Sequence, residues 1–469
     1  MNAIELRQVS FCYDGYSEMI LSNVNFHIHY GEVCLLSGLS GEGKSTLLSI
    51  ISGIIPNIIK GNIAGDILIN GESIKGQSLS KICRKVGVVL QNADNQIIHK
   101  VVEDEIAFGC ENLAFPKELI GKQIDRVCTI MDLDKSLLTR TLSGGQKQSL
   151  ITASTLAMGQ KILLLDEPLA NLDIKSASLL MDTLCTLAKA GYAVLVVEHR
   201  LDMVLPFVDS VWNIREGIVT EVKDKQEYLQ SQAIVIEDRS FKHEVGRGAF
   251  ELNHVAFSLN KKEILKDISF SIYEGERLLL LGENGCGKTT LMRLLAQLNK
   301  PTSGTIRQTV LSKSSKTKWY KTIGVVYQNP NYQLFMPTVE KEIYFNAASK
   351  DYAEEMIKIF KLEHLRKRHP QSLSEGQKRR VSIAAVAAGK PKVLLLDEPT
   401  VGQDYKGLCE LVEILDELHN ACENTMITIT HDMRCAEALC DRALIVSDGV
   451  IQKQGGKELA REYFFNRNF

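Results

Sequence analysis

Two short segments of this 469-residue chain carry the residue types that hold phosphate. Gly38-Leu39-Ser40-Gly41-Glu42-Gly43-Lys44-Ser45-Thr46 follows the apolar run Val33 to Leu36, and Gly282-Glu283-Asn284-Gly285-Cys286-Gly287-Lys288-Thr289-Thr290 follows Leu279 to Leu281. A strand, a glycine-rich turn and a helix in this order let successive backbone N–H groups point at phosphate oxygens, aided by the positive end of the helix. Lys44 and Lys288 then reach the β/γ-phosphates, and the hydroxyls of Ser45 and Thr289 are offered to Mg²⁺. Ser40, Thr46, Asn284 and Thr290 belong to the same two nucleotide-binding segments. Cys286 lies inside the second loop, so an alkylating reagent is expected to compete with nucleotide there.

Two acidic pairs stand at the ends of the strongest apolar runs, Asp166-Glu167 after Ile162 to Leu165 and Asp397-Glu398 after Leu394 to Leu396. Carboxylates at the C-terminal edge of a buried parallel strand lie where α/β sheets bind ligands. The aspartates suit Mg²⁺, and the glutamates suit polarisation of an attacking water. His199 and His431 close further apolar runs, 33 and 34 residues beyond the aspartates. That repeated position favours γ-phosphate sensing over a plain strand-end histidine. Gln91 and Gln328 follow the runs Val86 to Leu90 and Ile323 to Tyr327, where a neutral amide suits a switchable contact to Mg²⁺ or water. Ser143-Gly144-Gly145 and Ser374-Glu375-Gly376 each open a long helix. Ser is an ordinary N-cap residue, and such a helix start also presents donors to an anion.

The elements that must position these residues occur twice. The phosphate segments repeat at an offset of 244, and Leu-Ser-x-Gly-Gln and the acidic pairs both repeat at 231. The length difference is placed in loops after the first phosphate segment, around Ile58 to Asp66. The chain therefore reads as two domains, 1–232 and 250–469, joined by a linker at 233–249 of mixed charge with Gly246 and Gly248. Each half alternates short continuous apolar runs with amphipathic segments, the pattern of a parallel sheet covered by helices. The mostly helical stretch from Val101 to Met158 reads as a helical subdomain set into an α/β core.

Composition narrows the classes. With 55 Lys+Arg against 57 Asp+Glu and 45% hydrophobic residues, the chain is neither disordered nor polybasic. The apolar stretch from Leu47 to Ile59 is interrupted by Gly53 and Pro56 and is shorter than the roughly 20 residues a bilayer span needs. The N-terminus lacks a secretory signal. Eleven cysteines without a C-x-x-C pair read as reduced core thiols.

The ordered set of phosphate loop, glutamine, Leu-Ser-Gly-Gly-Gln segment, acidic pair and histidine, present twice, resembles the ATP-binding cassette (ABC) ATPases over essentially the whole chain. The resemblance implies two tandem P-loop nucleotide-binding domains, each a RecA-like α/β core with a helical subdomain, using ATP and Mg²⁺. It also implies intramolecular head-to-tail pairing. One site would join Lys44, Ser45, Gln91, Asp166, Glu167 and His199 to Ser374 and Gly376. The other would join Lys288, Thr289, Gln328, Asp397, Glu398 and His431 to Ser143 and Gly145. Asp173 and Asp404 resemble D-loop residues that cross such an interface. Tyr13 resembles the adenine-stacking aromatic, whereas its counterpart in the second half is Leu259, with Phe257 two residues before it. Glu375 replaces a signature glycine, and Gln403 stands where Leu172 stands in the first half.

Gln328 to Phe335, Ile54 to Gly65 and Glu198-His199-Arg200-Leu201 look like the fused ATPases of the energy-coupling factor (ECF) importers. That likeness implies a transmembrane (T) component and a substrate-binding membrane (S) component for a vitamin or transition-metal ion. It implies a peripheral location on the cytoplasmic face of the cell membrane and no nucleic-acid partner. Gln96, Ile97, Gln333, Leu334 and Phe335 are the residues expected to receive the partner's cytoplasmic helices. The alternatives are a tandem ATPase acting on ribosomes or DNA, against which the balanced charge argues, and a tandem sugar-importer ATPase, in which one site is commonly degenerate.

Overall fold

The computed structural model describes residues 1–91, 93–170, 172–231, 247–309 and 321–465. The chain divides into two compact units, 1–232 and 233–469. Residues 233–246 of the expected linker lie outside the described residues, and strand Gly248–Leu259 begins within its last part.

The first unit has a six-stranded sheet in the order Ile218–Glu221, Ser210–Arg215, Val33–Gly38, Ala193–Val197, Ile162–Asp166 and Val86–Val89. All its neighbours run parallel except the terminal hairpin of Ser210–Arg215 and Ile218–Glu221. The continuous apolar runs form these strands because both faces are covered. Alternate residues divide accordingly. Val33, Leu35, Leu163, Leu165, Val194 and Val196 join one core with the helices. Cys34, Leu36, Ile162, Leu164, Leu195 and Val197 join a second core under an antiparallel sheet that includes Asn2–Tyr13, Leu21–His29 and Gly61–Ile69. Each such fully buried Leu, Ile or Val stabilises the fold by about 1.5–3 kcal/mol.

The second unit repeats this plan. Its six strands run Ile323–Val326, Val393–Asp397, Thr425–Ile429, Arg277–Leu281, Arg442–Ser447 and Val450–Gly456. Leu394 and Leu396 face one core while Val393 and Leu395 face the other. Helices Val102–Asn112, Lys117–Ile130 and Gly144–Ala157 build the helical subdomain of the first unit. Val339–Phe345, Lys350–Ile359 and Glu375–Ala387 build that of the second.

The length difference is not confined to loops. Gly61–Ile69 is a strand paired with Asn2–Tyr13, and helix Lys117–Ile130 has 14 residues where Lys350–Ile359 has 10. Helices on a subdomain surface lose a turn without disturbing the sheet, so insertions there leave no break in the apolar pattern. Among the described residues, no helix is long and apolar enough to cross a membrane.

Candidate active sites in the two units

Register brings the chemistry to one edge. Leu36 lies beside Val197, Asp166 beside Val197, and Val89 beside Leu165. The chain continuing from these parallel strands therefore delivers Gly38, Glu167, His199 and Gln91 to the same C-terminal edge, where α/β sheets bind ligands.

The phosphate loop of the first unit needs its glycines. Gly38 has φ 149°, and a Cβ there would lie 2.4 Å from the Ile214 carbonyl oxygen; Gly43 has φ 100°. Helix Lys44–Ile51 starts immediately after. Lys44 is 6% exposed, and its Nζ donates to the carbonyls of Gly38 (2.9 Å) and Leu39 (2.7 Å). The ammonium is thus folded back over the loop. Ser45 Oγ donates to Asp166 Oδ2 at 2.9 Å, while the buried Asp166 Oδ1 has no hydrogen-bond partner. A buried carboxylate oxygen without a partner beside a serine hydroxyl fits a hard divalent cation, which prefers oxygen ligands. Burial, then the charge of Glu167, raises the Asp166 carboxyl above its ordinary value.

Glu167 sits at φ 47° with its N–H donating to Val197 O at 2.9 Å. A left-handed glutamate costs about 1–3 kcal/mol, a strain typical of functional sites. Its carboxylate accepts from Gln91 Nε2 (2.6 Å) and meets His199 Nε2 at 3.1 Å. Burial opposes its charge, but His199, Lys44 and Gln91 outweigh burial and hold Glu167 below its ordinary value. It therefore remains a carboxylate, as a water-polarising group must.

The second unit repeats most of this. Gly282, Gly285 and Gly287 have φ 146°, 82° and 109°. Lys288 Nζ donates to Gly282 O (2.7 Å) and Glu283 O (2.8 Å), and Thr289 Oγ1 donates to Asp397 Oδ2 at 3.1 Å. Glu398, at φ 51°, meets His431 Nε2 at 3.3 Å, and Asn284 Oδ1 lies 3.1 Å from the same nitrogen. Burial, then Glu398, pushes the Asp397 carboxyl up to about 6. Burial also raises the Cys286 thiol, so its alkylation at neutral pH proceeds through a small thiolate fraction.

Ser143 and Ser374 are the N-caps of their helices, each in a reciprocal capping box with Gln146 or Gln377. Asp173 and Asp404 cap the next helices, accepting from Ser176 N (2.8 Å) and Gly407 N (2.7 Å). Tyr13 OH lies 3.0 Å from Thr46 Oγ1, whereas Leu259 is 55% exposed. Glu375 pairs with Lys378 at 2.9 Å, and Gln403 Nε2 donates to Gly376 O at 3.3 Å.

Three of the residues expected to receive a partner serve the loop itself. Gln96 accepts from Leu90 N at 2.7 Å, Gln333 bridges Tyr327 N (2.9 Å) and Val325 O (2.7 Å), and Leu334 is buried. A loop leaving a sheet edge has unpaired backbone groups, and the two glutamines satisfy them. Ile97 is partly buried against the helical core. Phe335 remains exposed and packs edge-on to Phe345, also exposed; Ile98 is exposed in the first unit.

Sequence reading gave two groups no role of their own. Glu198 is buried and accepts from the N–H groups of Leu169 (2.7 Å) and His199 (3.0 Å), tying the histidine to the turn after Glu167. Its adjacency to His199 was the available signal. Arg379, two residues beyond the second Leu-Ser-Glu-Gly-Gln segment, is buried close to the acidic pair. Nothing in the repeat marked it, because Gln148 occupies its place in the first half.

The ABC transporter family model matches residues 21–170 and 265–401. A protein of Bacillus subtilis (strain 168), provisionally named HMP/thiamine import ATP-binding protein YkoD, is 33% identical over 492 residues, covering 95% of this chain and 90% of its own. A provisionally named ABC transporter ATP-binding protein of Treponema denticola is 31% identical, covering 98% of this chain and 99% of its own. Archaeal ribosome recycling factor aABCE1, solved with the ribosomal stalk protein aP1, superposes with a TM-score of 0.68 at 21% identity, over 98% of this chain and 92% of that one. At that identity the likeness is one of fold.

Proposed function

We propose, from the premise that this chain belongs to the ABC transporter family of ATP-hydrolysing enzymes, that it is the energy-coupling subunit of an ECF-type importer for a vitamin or transition-metal ion. What carries the reading is the full-length similarity to the Treponema denticola transporter ATP-binding protein, covering 98% of this chain and 99% of that one. No described helix can cross a membrane, so transport requires separate membrane proteins, here a T and an S component. The subunit then works peripherally on the cytoplasmic face. The import named for the Bacillus relative fits a vitamin cargo. Cargo choice belongs to the S component, which touches it.

In this reading each half binds the nucleotide phosphates through loop amides and Lys44 or Lys288. Ser45, Gln91 and Asp166, and Thr289, Gln328 and Asp397, would hold the cation. When bound, Mg²⁺ would neutralise phosphate charge. Glu167 and Glu398 take the proton of the attacking water, and His199 and His431 orient these carboxylates. Tyr13 packs on the adenine in the first half, and Leu259 offers less there. Each site is completed by the opposite half, Ser374 and Gly376 for the first and Ser143 and Gly145 for the second. A γ-phosphate gripped from both sides joins the halves, and its hydrolysis releases them. The D-loop aspartates Asp173 and Asp404 communicate across that junction.

Phe335, Phe345 and Ile98 are the apolar contacts offered to the membrane partner's cytoplasmic helices. The test is purification of the tagged chain from detergent-solubilised membranes. A multi-span partner should accompany the wild type and be lost in Phe335→Asp with ATP binding retained. Sedimentation of the chain with ribosomes, and no membrane partner, would overturn the importer reading in favour of the soluble alternative.

A further inference from the structure

The helix that begins at the Leu-Ser-x-Gly-Gln segment is joined to the Gln loop differently in the two units. In the second unit, Arg379 on helix Glu375–Ala387 is 3% exposed. Its Nη1 donates to Tyr327 O at 2.9 Å, and its Nη2 donates to Gln328 O. One planar guanidinium thus holds two successive carbonyls of the segment that carries Gln328, a geometry a lysine cannot reproduce. Glu398, Glu375 and Asp397 supply the surrounding negative charge, although burial still lowers the guanidinium to about 10. The next residue, Arg380, ties the same helix to Glu410 on helix Tyr405–Cys422 at 3.0 Å.

Neither arginine exists in the first unit. Gln148 replaces Arg379 and Ser149 replaces Arg380, while Leu179 stands where Glu410 stands and is 62% exposed. Gln148 is 5% exposed, and its Nε2 has no hydrogen-bond partner. It lines a small cavity with Gln91, Asp94, Lys147 and Glu167. Among the described residues, helix and loop there are joined by an ion pair, Lys147 Nζ to Asp94 Oδ1 at 2.6 Å, with side chains 21% and 65% exposed. The second unit has Asn331 and Lys378 at the positions of Asp94 and Lys147 and cannot form that ion pair.

We propose that Arg379 is a positioning residue that locks the Gln328 loop to the signature helix, and that the exposed Lys147–Asp94 pair is its weaker, salt-sensitive substitute in the first half. A buried bidentate contact is shielded from mobile ions, whereas an exposed pair is screened. The Gln91 loop, tied by the screened pair, therefore moves more readily than the Gln328 loop. The two ATP sites then differ in how firmly the loops that carry their switch glutamines are anchored to the signature helix, although every catalytic residue type is present in both. The inference rests on the two-site ATPase reading and is independent of the importer assignment.

Amide hydrogen exchange on the full-length, nucleotide-free chain tests it without a membrane partner. Raising NaCl from low concentration to about 0.5 M should speed exchange several-fold across 86–97 and leave 323–335 unchanged. Gln148→Arg should abolish that salt response. Arg379→Ala should speed exchange at 323–335 and lower the second site's kcat for ATP about ten- to a hundredfold with its KM little changed, since the loss is one of orientation. Free guanidinium ion at a non-denaturing concentration should restore both readouts. Equal salt responses in the two loops would overturn the proposal, and this arm needs no variant. So would an Arg379→Ala protein with unchanged exchange and kcat, or one whose faster exchange spreads through the whole second unit.

Discussion

At the scale of single residues, the sites are built from buried carboxylates whose proton affinities are shifted in opposite directions by their surroundings. Glu167 is held ionised by His199, Lys44 and Gln91 against its burial, so exchanging this proposed proton acceptor without altering shape isolates its role. Glu167→Gln with Glu398→Gln should lower ATP turnover about 10²–10⁴-fold and leave nucleotide binding intact, measured as phosphate release against retained radiolabelled ATP. Asp397 behaves oppositely. Its folded pKa, raised to about 6, lies above its unfolded value, so the folded state binds the extra proton and the nucleotide-free chain loses stability as pH rises from about 4 to 6. Asp397→Asn should remove that loss, stabilising the nucleotide-free chain at pH 7.5 by about 1–2 kcal/mol while abolishing turnover of the second site. Melting temperatures of the two proteins across pH 4 to 8 check the sign. Protons also compete with Mg²⁺ for Asp397, so magnesium-dependent ATP binding in the second half should weaken below pH 6. That the motif residues gather at one sheet edge was legible in sequence because each follows a buried apolar run, and parallel strands end on the same side. Glu198 and Arg379 were not, since their roles depend on which backbone groups fold back toward them.

At the scale of elements, each parallel strand is specified by an unbroken apolar run, but the ends of the strands are secured by less visible means. Arg277 opens strand Arg277–Leu281 while buried, pairing with Asp416 at 2.6 Å and Asp441 at 3.0 Å. The first half has Val33 and Cys185 at the positions of Arg277 and Asp416, with Val33 N donating to Asp209 Oδ2 at 2.8 Å. The repeat thus contains its own apolar replacement. Arg277→Val alone should cost about 3–5 kcal/mol by stranding a buried carboxylate, whereas Arg277→Val with Asp416→Cys should recover most of that loss. Urea unfolding of the full chain compares them. The capping boxes at Ser143 and Ser374 predict a smaller effect. Ser374→Ala should cost about 1 kcal/mol of stability by removing an N-cap. Strand positions and helix starts were readable from apolar runs and Ser-x-x-Gln spacing. The added length of the first helical subdomain was misplaced into a loop because an amphipathic surface helix lengthens without changing the period of its buried face.

At the scale of the whole molecule, duplication supplies two nucleotide sites on one polypeptide, and the proposed pairing makes each half complete the other's site. With Glu167→Gln and Glu398→Gln, Mg²⁺ and ATP should reduce the radius of gyration measured by X-ray scattering relative to the nucleotide-free chain. No change in scattering on saturation would remove the basis for coupling hydrolysis to movement. By itself the sequence determined the duplicated α/β architecture and the nucleotide chemistry, because buried-strand periodicity and phosphate-binding spacing are local, short-range patterns repeated in the same order. Tertiary structure alone decided that Gln96, Gln333 and Leu334 brace the loops from within while Phe335 stays outside. It also decided that a buried arginine holds one Gln loop where an exposed ion pair holds the other. Those outcomes depend on burial and on contacts between residues far apart in the chain, and charge or polarity written in one dimension does not reveal which side of a fold it will face.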